Sequence, residues 1–195
     1  MADFTYLVQD IQNTAENDGT EFINQIPKFV NKAESRMTRD LDDYGLVTFS
    51  SIAVSVSNPF VSLPSGTRIV KQFNITVSGQ RLNLLQRTDE FINDYWPYVS
   101  TSVGTPKYYA RRTNSSVLIA PTPVSTLDGE IAHVNRPVTL SSVAPNNYFS
   151  DSCYDALFYA SMIEASFFMK SFSDIQAWQG EYTAAIDGLR NQARR

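Results

Sequence analysis

GTPKYYARRTNSSVLIAPTP, residues 104–123, is the stretch around which the rest of the chain is organised. Gly104 and Pro106 interrupt the structure that precedes it, and the polar run at 113–116 is typical of a turn. The two prolines at its far end have no N–H group to donate to a ladder, so the second strand must end there. The pattern therefore predicts a β-hairpin of two short strands.

Length and composition favour a folded domain. The chain has 195 residues, 43% of them hydrophobic, which is enough to bury a core. The longest apolar-rich run, 156–169, is short for a membrane span and contains Glu164. The N-terminus contains Asp3 and Asp10 and has no continuous apolar segment, so it does not resemble a signal peptide. We expect synthesis and folding in a cytoplasm.

Charge is distributed unevenly along the chain. Residues 1–45 carry 4 basic and 9 acidic side chains, residues 46–145 carry 8 and 5, and residues 146–195 carry 4 and 6. The net charges are therefore -5, +3 and -2. Acidic N- and C-terminal parts of the chain and a mildly basic middle part suit head-to-tail contacts between copies. Solvated surfaces of mixed sign would give the same distribution, so both interpretations stay open at this point.

Two amphipathic helices are predicted in the first 45 residues. The first runs roughly from 4 to 17, with Asp3 or Thr5 as its cap. The second starts with a short lead-in at Thr20 and Glu21, and Pro27 is expected in the first turn of its main segment, where the missing N–H costs nothing. Its apolar side chains recur at helical spacing: Ile26, Phe29, Val30, Ala33, Met37 and Leu41. Helices joined by a tight turn are expected to pack as an antiparallel pair.

Residues 46–145 have the signature of a β module. The hydrophobic period drops to about 2, and Val, Ile, Thr, Phe and Ser replace Ala, Glu and Lys. Besides the hairpin, strands are predicted at 46–49, 52–56, 68–77, 81–85 and 130–135. Thr88 with the two acidic residues after it is predicted to cap a short helix that ends before Pro97.

The C-terminal part predicts two more helices. One starts at Ser152, which is expected to form a capping box with Asp155, and runs to about Phe172. This helix is apolar on two faces, and its second stripe consists of Tyr159, Ile163 and Phe167. Such a helix must be covered on both faces, either by the β module or by another copy of the chain. The last helix, 174–193, is simply amphipathic.

Together these elements predict an α+β fold. The N- and C-terminal helices, residues 1–45 and 146–195, are expected to form an antiparallel helical bundle. A large antiparallel β module, residues 46–145, is inserted between the second and third long helices. We expect the whole chain to form one compact unit.

Few side chains are suited to catalysis. His133 lies in a predicted strand between apolar neighbours, which favours a structural histidine over a general base. Cys153 begins a helix, but no second histidine supports a nucleophile there. A single Cys and a single His also leave no zinc cluster. The pairs Asp42–Asp43 and Asp89–Glu90 lie at helix ends, where capping explains them. We therefore expect that the protein is not an enzyme and that it binds neither a cofactor nor a metal ion.

The hairpin also carries a pattern known from nucleic-acid binding. Lys107, Arg111 and Arg112 interleave with Tyr108 and Tyr109, and such residues can stack bases and hold phosphates. An ordinary exposed strand with one aromatic face has the same pattern, and dedicated binders are more basic. Contact with DNA passing nearby fits the sequence better than specific recognition of DNA.

Four segments carry a family resemblance. They are TYLVQDI at 5–11, IPKFVNKAESRMTRDL at 26–41, GTPKYYA with LIAPTP at 104–110 and 118–123, and the helical end at 155–189 with Trp178 and Tyr182. Each segment alone is only an amphipathic helix or a hairpin. In this order, the four resemble the head-to-tail adaptor (connector) proteins of tailed bacteriophages, and together they span most of the chain.

The resemblance implies a structural protein of the virion neck without a catalytic centre. Such adaptors form a ring, typically of twelve copies, under the portal protein, where they extend the DNA channel and present a platform for tail or nozzle proteins. A closed ring needs a heterologous interface. Our candidates for one side of that interface are Tyr159, Ile163 and Phe167. The candidates for contact with a partner or with channel DNA are Lys107, Arg111, Arg112, Arg194 and Arg195.

The large β module departs from the smaller members of this family, which consist mainly of their helical bundle. Which partner the β module meets therefore stays open. The alternative interpretation is a tail-associated receptor- or glycan-binding module, with a stacking surface made of Tyr95, Trp96, Tyr108 and Tyr109.

Overall fold

The computed structural model describes residues 3–41 and 46–193. The chain divides into two compact units. A helical unit is formed by Met1–Leu46 and Pro137–Arg195, and a β unit is formed by Val47–Arg136. The fold class is α+β, as the sequence predicts.

Six helices lie in the described residues: α1 (Phe4–Thr14), α2 (Thr20–Asp40), α3 (Asp89–Tyr95), α4 (Tyr148–Ser152), α5 (Tyr154–Met169) and α6 (Phe172–Ala193). All but α3 belong to the helical unit. The central element of that unit is α5, which contacts α1, α2 and α6. Asp3 caps α1 by accepting a hydrogen bond from the backbone N–H of Tyr6 at 2.8 Å.

Helix α2 starts where the lead-in is predicted, and it continues through Pro27 as one helix. It begins at Thr20, after Gly19 as its N-cap, so Pro27 lies inside the helix and not in its first turn. A proline inside a helix removes one backbone hydrogen bond. The apolar stripe nevertheless continues on both sides of Pro27, from Phe22 to Met37, and its burial keeps the helix in one piece.

The start of the third long helix also differs from the prediction. Ser152 ends the short helix α4, which is closed at its beginning by a capping box between Asn147 and Ser150. Helix α5 then starts at Tyr154, and its N-cap Cys153 makes no side-chain capping bond. The predicted box between Ser152 and Asp155 is therefore wrong, because the chain places its capping residue five positions earlier.

The β unit contains nine strands among the described residues: β1 (Val47–Val54), β2 (Phe60–Ser62), β3 (Thr67–Val77), β4 (Gln80–Gln86), β5 (Val103–Gly104), β6 (Tyr108–Arg111), β7 (Ser116–Ala120), β8 (Thr122–Pro123) and β9 (Leu127–Asn135). Seven of them form one sheet in the order β1-β9-β3-β4-β6-β7-β2, while β5 and β8 form a separate pair. The core of this unit contains Phe73, Ile75, Ile119 and Ile131, each fully buried.

The predicted hairpin is confirmed. Strands β6 and β7 pair antiparallel, with Tyr108 opposite Ala120 and Arg111 opposite Val117. The β module as a whole is not purely antiparallel, however, because β4 pairs parallel with β6 and β5 pairs parallel with β8. Helix α3 lies between β4 and β6 in sequence, and this crossover lets the chain re-enter the sheet in the same direction.

The sheet has two free edges, which are consecutive in sequence. Among the described residues β1 is hydrogen-bonded to β9 only and β2 to β7 only. The edges contact each other, and they line a groove of about 490 Å³. The eight residues of β1 include no charged residue and no proline, and Phe49 on this strand is 66% exposed.

Candidate interaction surfaces

Polar side-chain contacts join helices of the helical unit that are far apart in sequence, and three of them involve carboxylates. Tyr154 on α5 donates its hydroxyl to Asp10 on α1 at 2.7 Å. Tyr182 on α6 donates to Asp40 on α2 at 2.6 Å. Burial, and then the hydrogen bond to the carboxylate, raise the pKa of both tyrosines well above the ordinary value. Both hydroxyls therefore remain protonated donors at physiological pH.

The third contact explains the acidic residue that interrupts the apolar α5. Glu164 accepts a hydrogen bond from Arg36 at 2.8 Å and pairs with Lys32 at 3.3 Å, and both basic residues lie on α2. Its side chain is only 12% exposed. Charge-assisted contacts of this kind fix the position of one helix on the next.

Glu34 on α2 is a buried carboxylate with a structural function. Its oxygens accept the backbone N–H of Leu140 at 3.1 Å and 3.3 Å and the side-chain amide of Asn147. Asn147 is also the cap of α4. Glu34 thus fastens the segment before α4 to the middle of α2.

The predicted interface stripe of α5 is divided by the structure. Ile163 is fully buried. Tyr159 is half-buried, and its ring stacks on Trp178 of α6 with centroids 6.1 Å apart. Phe167 is 50% exposed. Of the three residues, Phe167 offers the largest free surface.

Two further phenylalanines are exposed near Phe167. Phe168 is 38% exposed, and its ring contacts Phe22 and Phe29 of α2. Phe172, the first residue of α6, is 68% exposed. We call Phe167, Phe168 and Phe172 the phenylalanine patch. Three large apolar side chains exposed within six consecutive residues favour a protein–protein contact at this segment.

The basic candidates have different environments. Arg111 donates to four backbone carbonyls, those of Thr67, Arg68, Thr113 and Asn114. The guanidinium of Arg112 lies over the ring of Phe60, 5.1 Å from its centroid. Lys107 is exposed. The remaining candidates, Arg194 and Arg195, lie outside the described residues. Arg111 is thus a structural residue, while Lys107 and Arg112 are accessible.

The aromatic candidates form a cluster on and beside α3. Tyr95 is 67% exposed, and Trp96 and Tyr108 lie 5.4 Å apart between ring centroids. The guanidinium of Arg87 lies 5.7 Å from the ring centroids of Tyr108 and Phe91. The fourth predicted member is Tyr109, but its ring is buried in the core of the β unit, where it meets Phe73 edge-on.

His133 is enclosed between two hydroxyls. Its Nδ1 lies 3.0 Å from Oγ1 of Thr67 and its Nε2 lies 3.0 Å from Oγ of Ser50. Thr67 donates its own proton to the carbonyl of Pro64, so it accepts from Nδ1–H, and Nε2 accepts from Ser50. Burial lowers the pKa of His133. The imidazole is therefore a neutral link between β1, β9 and β3.

The other groups considered for catalysis have structural environments. Cys153 is buried, and burial raises the pKa of its thiol, which disfavours the reactive thiolate. Asp89 and Glu90 lie in the first turn of α3, next to its cap Thr88. Asp42 and Asp43 lie outside the described residues. In the described part of the chain, no three His, Cys, Asp or Glu side chains form a group that could hold a metal ion.

One pocket of the helical unit was not indicated by the sequence. It has a volume of about 260 Å³ and lies between the end of α1, the end of α5 and the first half of α6. The residues that line it are Thr14, Ala15, Met162, Ser166, Met169, Asp174, Ala177, Trp178 and Glu181. We call it the α1–α5–α6 pocket. Its members are scattered over the sequence, so no spacing could have grouped them.

Comparison with protein families identifies a matching family model. The family model of the SU10 adaptor protein matches residues 2–195. No curated protein matches the chain. Within residues 3–41 and 46–193, no helix combines the length and hydropathy of a membrane span.

Proposed function

The chain belongs to the SU10 adaptor protein family, and we propose that its copies form a closed ring under the portal protein of a tailed bacteriophage. The ring extends the DNA channel and offers a platform to tail or nozzle proteins. The observation that carries this proposal is the family match over nearly the whole chain, since it includes both the helical unit and the β unit.

The phenylalanine patch is our proposed subunit interface, in place of the full stripe of α5. A ring requires two complementary surfaces on each copy. Phe167 and Phe172 supply exposed apolar area on the helical unit. The remaining members of the predicted stripe contribute by holding α5 in place, because Ile163 is buried and Tyr159 stacks on Trp178.

Lys107 and Arg112 are our proposed contacts with a partner or with channel DNA. Both side chains are exposed on the β unit, which carries a formal net charge of +3. Arg111 is not included, because its guanidinium is occupied by backbone carbonyls. The affinity of a contact between an exposed cation and DNA falls as the salt concentration rises.

The test is to mix the purified chain with the portal ring of the same phage and to measure masses by mass photometry, with negative-stain images of the products. We expect a ring of twelve copies on each portal. A chain that stays a single subunit and never joins a portal ring would contradict the proposal.

Phe172→Ser should reduce ring formation without lowering the unfolding midpoint, since this side chain is exposed. Tyr98→Ser is a matched control, because Tyr98 is similarly exposed, at 71%, on the β unit.

A second candidate function rests on the aromatic cluster beside α3. Exposed Tyr95 and half-buried Trp96 offer ring faces of the kind that stack on sugars. A tail-associated glycan-binding module would use them. Screening the chain on a glycan array tests this function, and Tyr95→Ala should abolish any signal. Portal binding that survives Tyr95→Ala, together with an array without signal, would favour the adaptor function.

A further inference from the structure

The α1–α5–α6 pocket contains an unpartnered hydroxyl. Ser166 is 1% exposed, it lines the pocket, and its Oγ has no hydrogen-bond partner in the described part of the chain. Ser161, one turn and a residue earlier on α5, instead donates to the carbonyl of Leu157 at 2.8 Å. A buried polar group without a partner is costly, so an unfilled hydroxyl in a pocket points to a ligand that completes it.

The charges around the pocket favour a cation. Asp174 and Glu181 are its two charged lining residues, and both are acidic. Asp174 already accepts hydrogen bonds from the hydroxyls of Ser171 and Ser173. Glu181 is exposed, and no ion pair of its carboxylate is found among the described residues. A cation entering the pocket would thus meet at least one free carboxylate.

The helix ends add to this preference. Two helices, α1 and α5, end at the pocket, and neither has a basic residue in its last turn. The carboxyl end of a helix carries partial negative charge and attracts cations. Lys170 follows α5 as its C-cap, but it does not line the pocket. No basic side chain among the lining residues offsets the negative helix ends.

The apolar walls define the rest of the ligand. Met162, Met169 and Trp178 line the same cavity, and they suit an aliphatic chain. The indole of Trp178 can also take a cation on its face. A ligand that satisfies these requirements has a cationic group and an aliphatic chain, as in the ammonium group and hydrocarbon stem of a lysine side chain. A small divalent cation would leave the apolar walls uncovered.

We propose that this pocket receives the side chain of Lys107 from a neighbouring copy of the chain. This inference rests on the proposed ring. The helical segments carry a formal net charge of -7 and the β unit +3, so head-to-tail contact pairs opposite charges. Within the β unit, Arg81 pairs with Glu130, Arg87 lies over Phe91, and Arg112 over Phe60. Lys107 is exposed, and no contact of its ammonium group is found in the described residues.

The chemistry of the pocket can be tested without the ring contact. In the Lys107→Ala chain the pocket is empty, and calorimetric titration with n-butylammonium chloride should show saturable binding. Glu181→Gln should weaken this binding about tenfold, as expected for the loss of one charge-assisted contact. Glu21→Gln is the control, because Glu21 is an exposed acid of α2 outside the pocket. Equal binding of n-butanol, or equal affinity in the Glu181→Gln chain, would overturn the proposal.

Charge exchange identifies the source of the ammonium group. Glu181→Lys and Lys107→Glu should each lower ring formation in mass photometry, and the two changes together should restore it. Glu21→Lys has the same net charge as Glu181→Lys and should leave the ring intact. If the wild-type chain forms rings and Glu181→Lys forms them equally well, the neighbouring copy is not the source, while the adaptor function stands. If the wild-type chain forms no ring at all, the proposed function itself fails.

Discussion

In the helical unit, carboxylates join segments that are far apart in sequence, whereas in the β unit the buried polar groups are mostly neutral. Asp10, Glu34, Asp40 and Glu164 each hold a helix or a loop that is more than 100 positions away. The β unit instead places His133 between two hydroxyls. Segments that are distant in sequence are therefore held together by carboxylates in the helical unit and by neutral polar groups in the β unit.

The reason lies in the backbone. A helix satisfies its own N–H and C=O groups, so its position relative to other helices must be fixed by side chains. A strand is positioned by its ladder to the next strand, and a polar side chain is needed only where the ladder is interrupted. The register between β3 and β9 shifts between Thr67 and Ile69, and Arg111 donates to the carbonyls of Thr67 and Arg68 at this place.

The largest effect is expected from Glu34, whose removal should break the helical unit. Glu34→Ala leaves the buried N–H of Leu140 without its acceptor and removes one of the two hydrogen bonds of the Asn147 amide, which keeps the carbonyl of Val138; the loss should cost about 3 kcal/mol of unfolding free energy. Glu34→Gln keeps one acceptor oxygen and should cost about half of that. Urea unfolding followed by circular dichroism measures both. Glu21→Ala is the control, and a loss below about 1 kcal/mol for Glu34→Ala would contradict the assigned function of this carboxylate.

The corresponding change in the β unit is Arg111→Lys. Lysine keeps the charge but cannot reach several carbonyls with a planar fork, so unfolding should become easier by about 2 kcal/mol. Arg112→Lys, at the next position, should stay within about 0.5 kcal/mol of the wild type, because its side chain is exposed. Equal effects of the two substitutions would mean that the carbonyl contacts of Arg111 contribute little.

Glycine should respond in opposite directions in the two units. A Cβ added to Gly129 in β9 would lie 3.1 Å from atoms of Ile52 and Phe73, so Gly129→Ala should cost about 1 to 3 kcal/mol. A Cβ on Gly180 in α6 meets no atom within 4 Å, and Gly180→Ala should raise stability by about 1 kcal/mol. Thermal unfolding of both variants tests the contrast, which fails if the two shifts have the same sign.

The smallest effect is the pH response of His133. Its folded pKa lies below the ordinary value of 6.5, so the unfolded chain binds the proton more readily in the interval between the two values. The contribution of neutral His133 to stability is complete above pH 6.5 and declines as pH falls towards the folded pKa. Because the chain has a single histidine, its imidazole resonance can be followed by NMR alongside urea unfolding. An imidazole that titrates above pH 6.5 would contradict this prediction, and His133→Gln should flatten the response.

Several features of the fold could be predicted from local patterns. The α+β class, the hairpin of β6 and β7 and the Thr88 cap of α3 all follow from hydrophobic period and turn residues. The parallel pairing of β4 with β6 could not be predicted, since register and direction depend on where the crossover returns. The start of α2 at Thr20 was predicted, but placing Pro27 in the first turn of a separate main segment was wrong, because burial of the apolar stripe outweighs one lost hydrogen bond.

The candidate surfaces were predicted less well, for a physical reason. Residue type shows that Phe167 and Ile163 are apolar, but only packing decides that one is exposed and the other buried. Arg111 and Lys107 are both basic, and the β3 carbonyls that occupy Arg111 lie 43 and 44 positions away in sequence. The α1–α5–α6 pocket depends on three helix ends at once, which no single stretch of sequence encodes.

The free edge of β1 sets a condition for handling the protein. The side of β1 that faces away from β9 has no ladder partner among the described residues, only the three residues of β2 lie against it, and the eight residues of β1 include neither a charge nor a proline that would keep a second copy from pairing. The isolated chain should therefore precipitate in a concentration-dependent way, faster than a chain in which Phe49→Lys supplies a repelling charge. Storage at low concentration, or expression together with its neck partners, is the practical consequence.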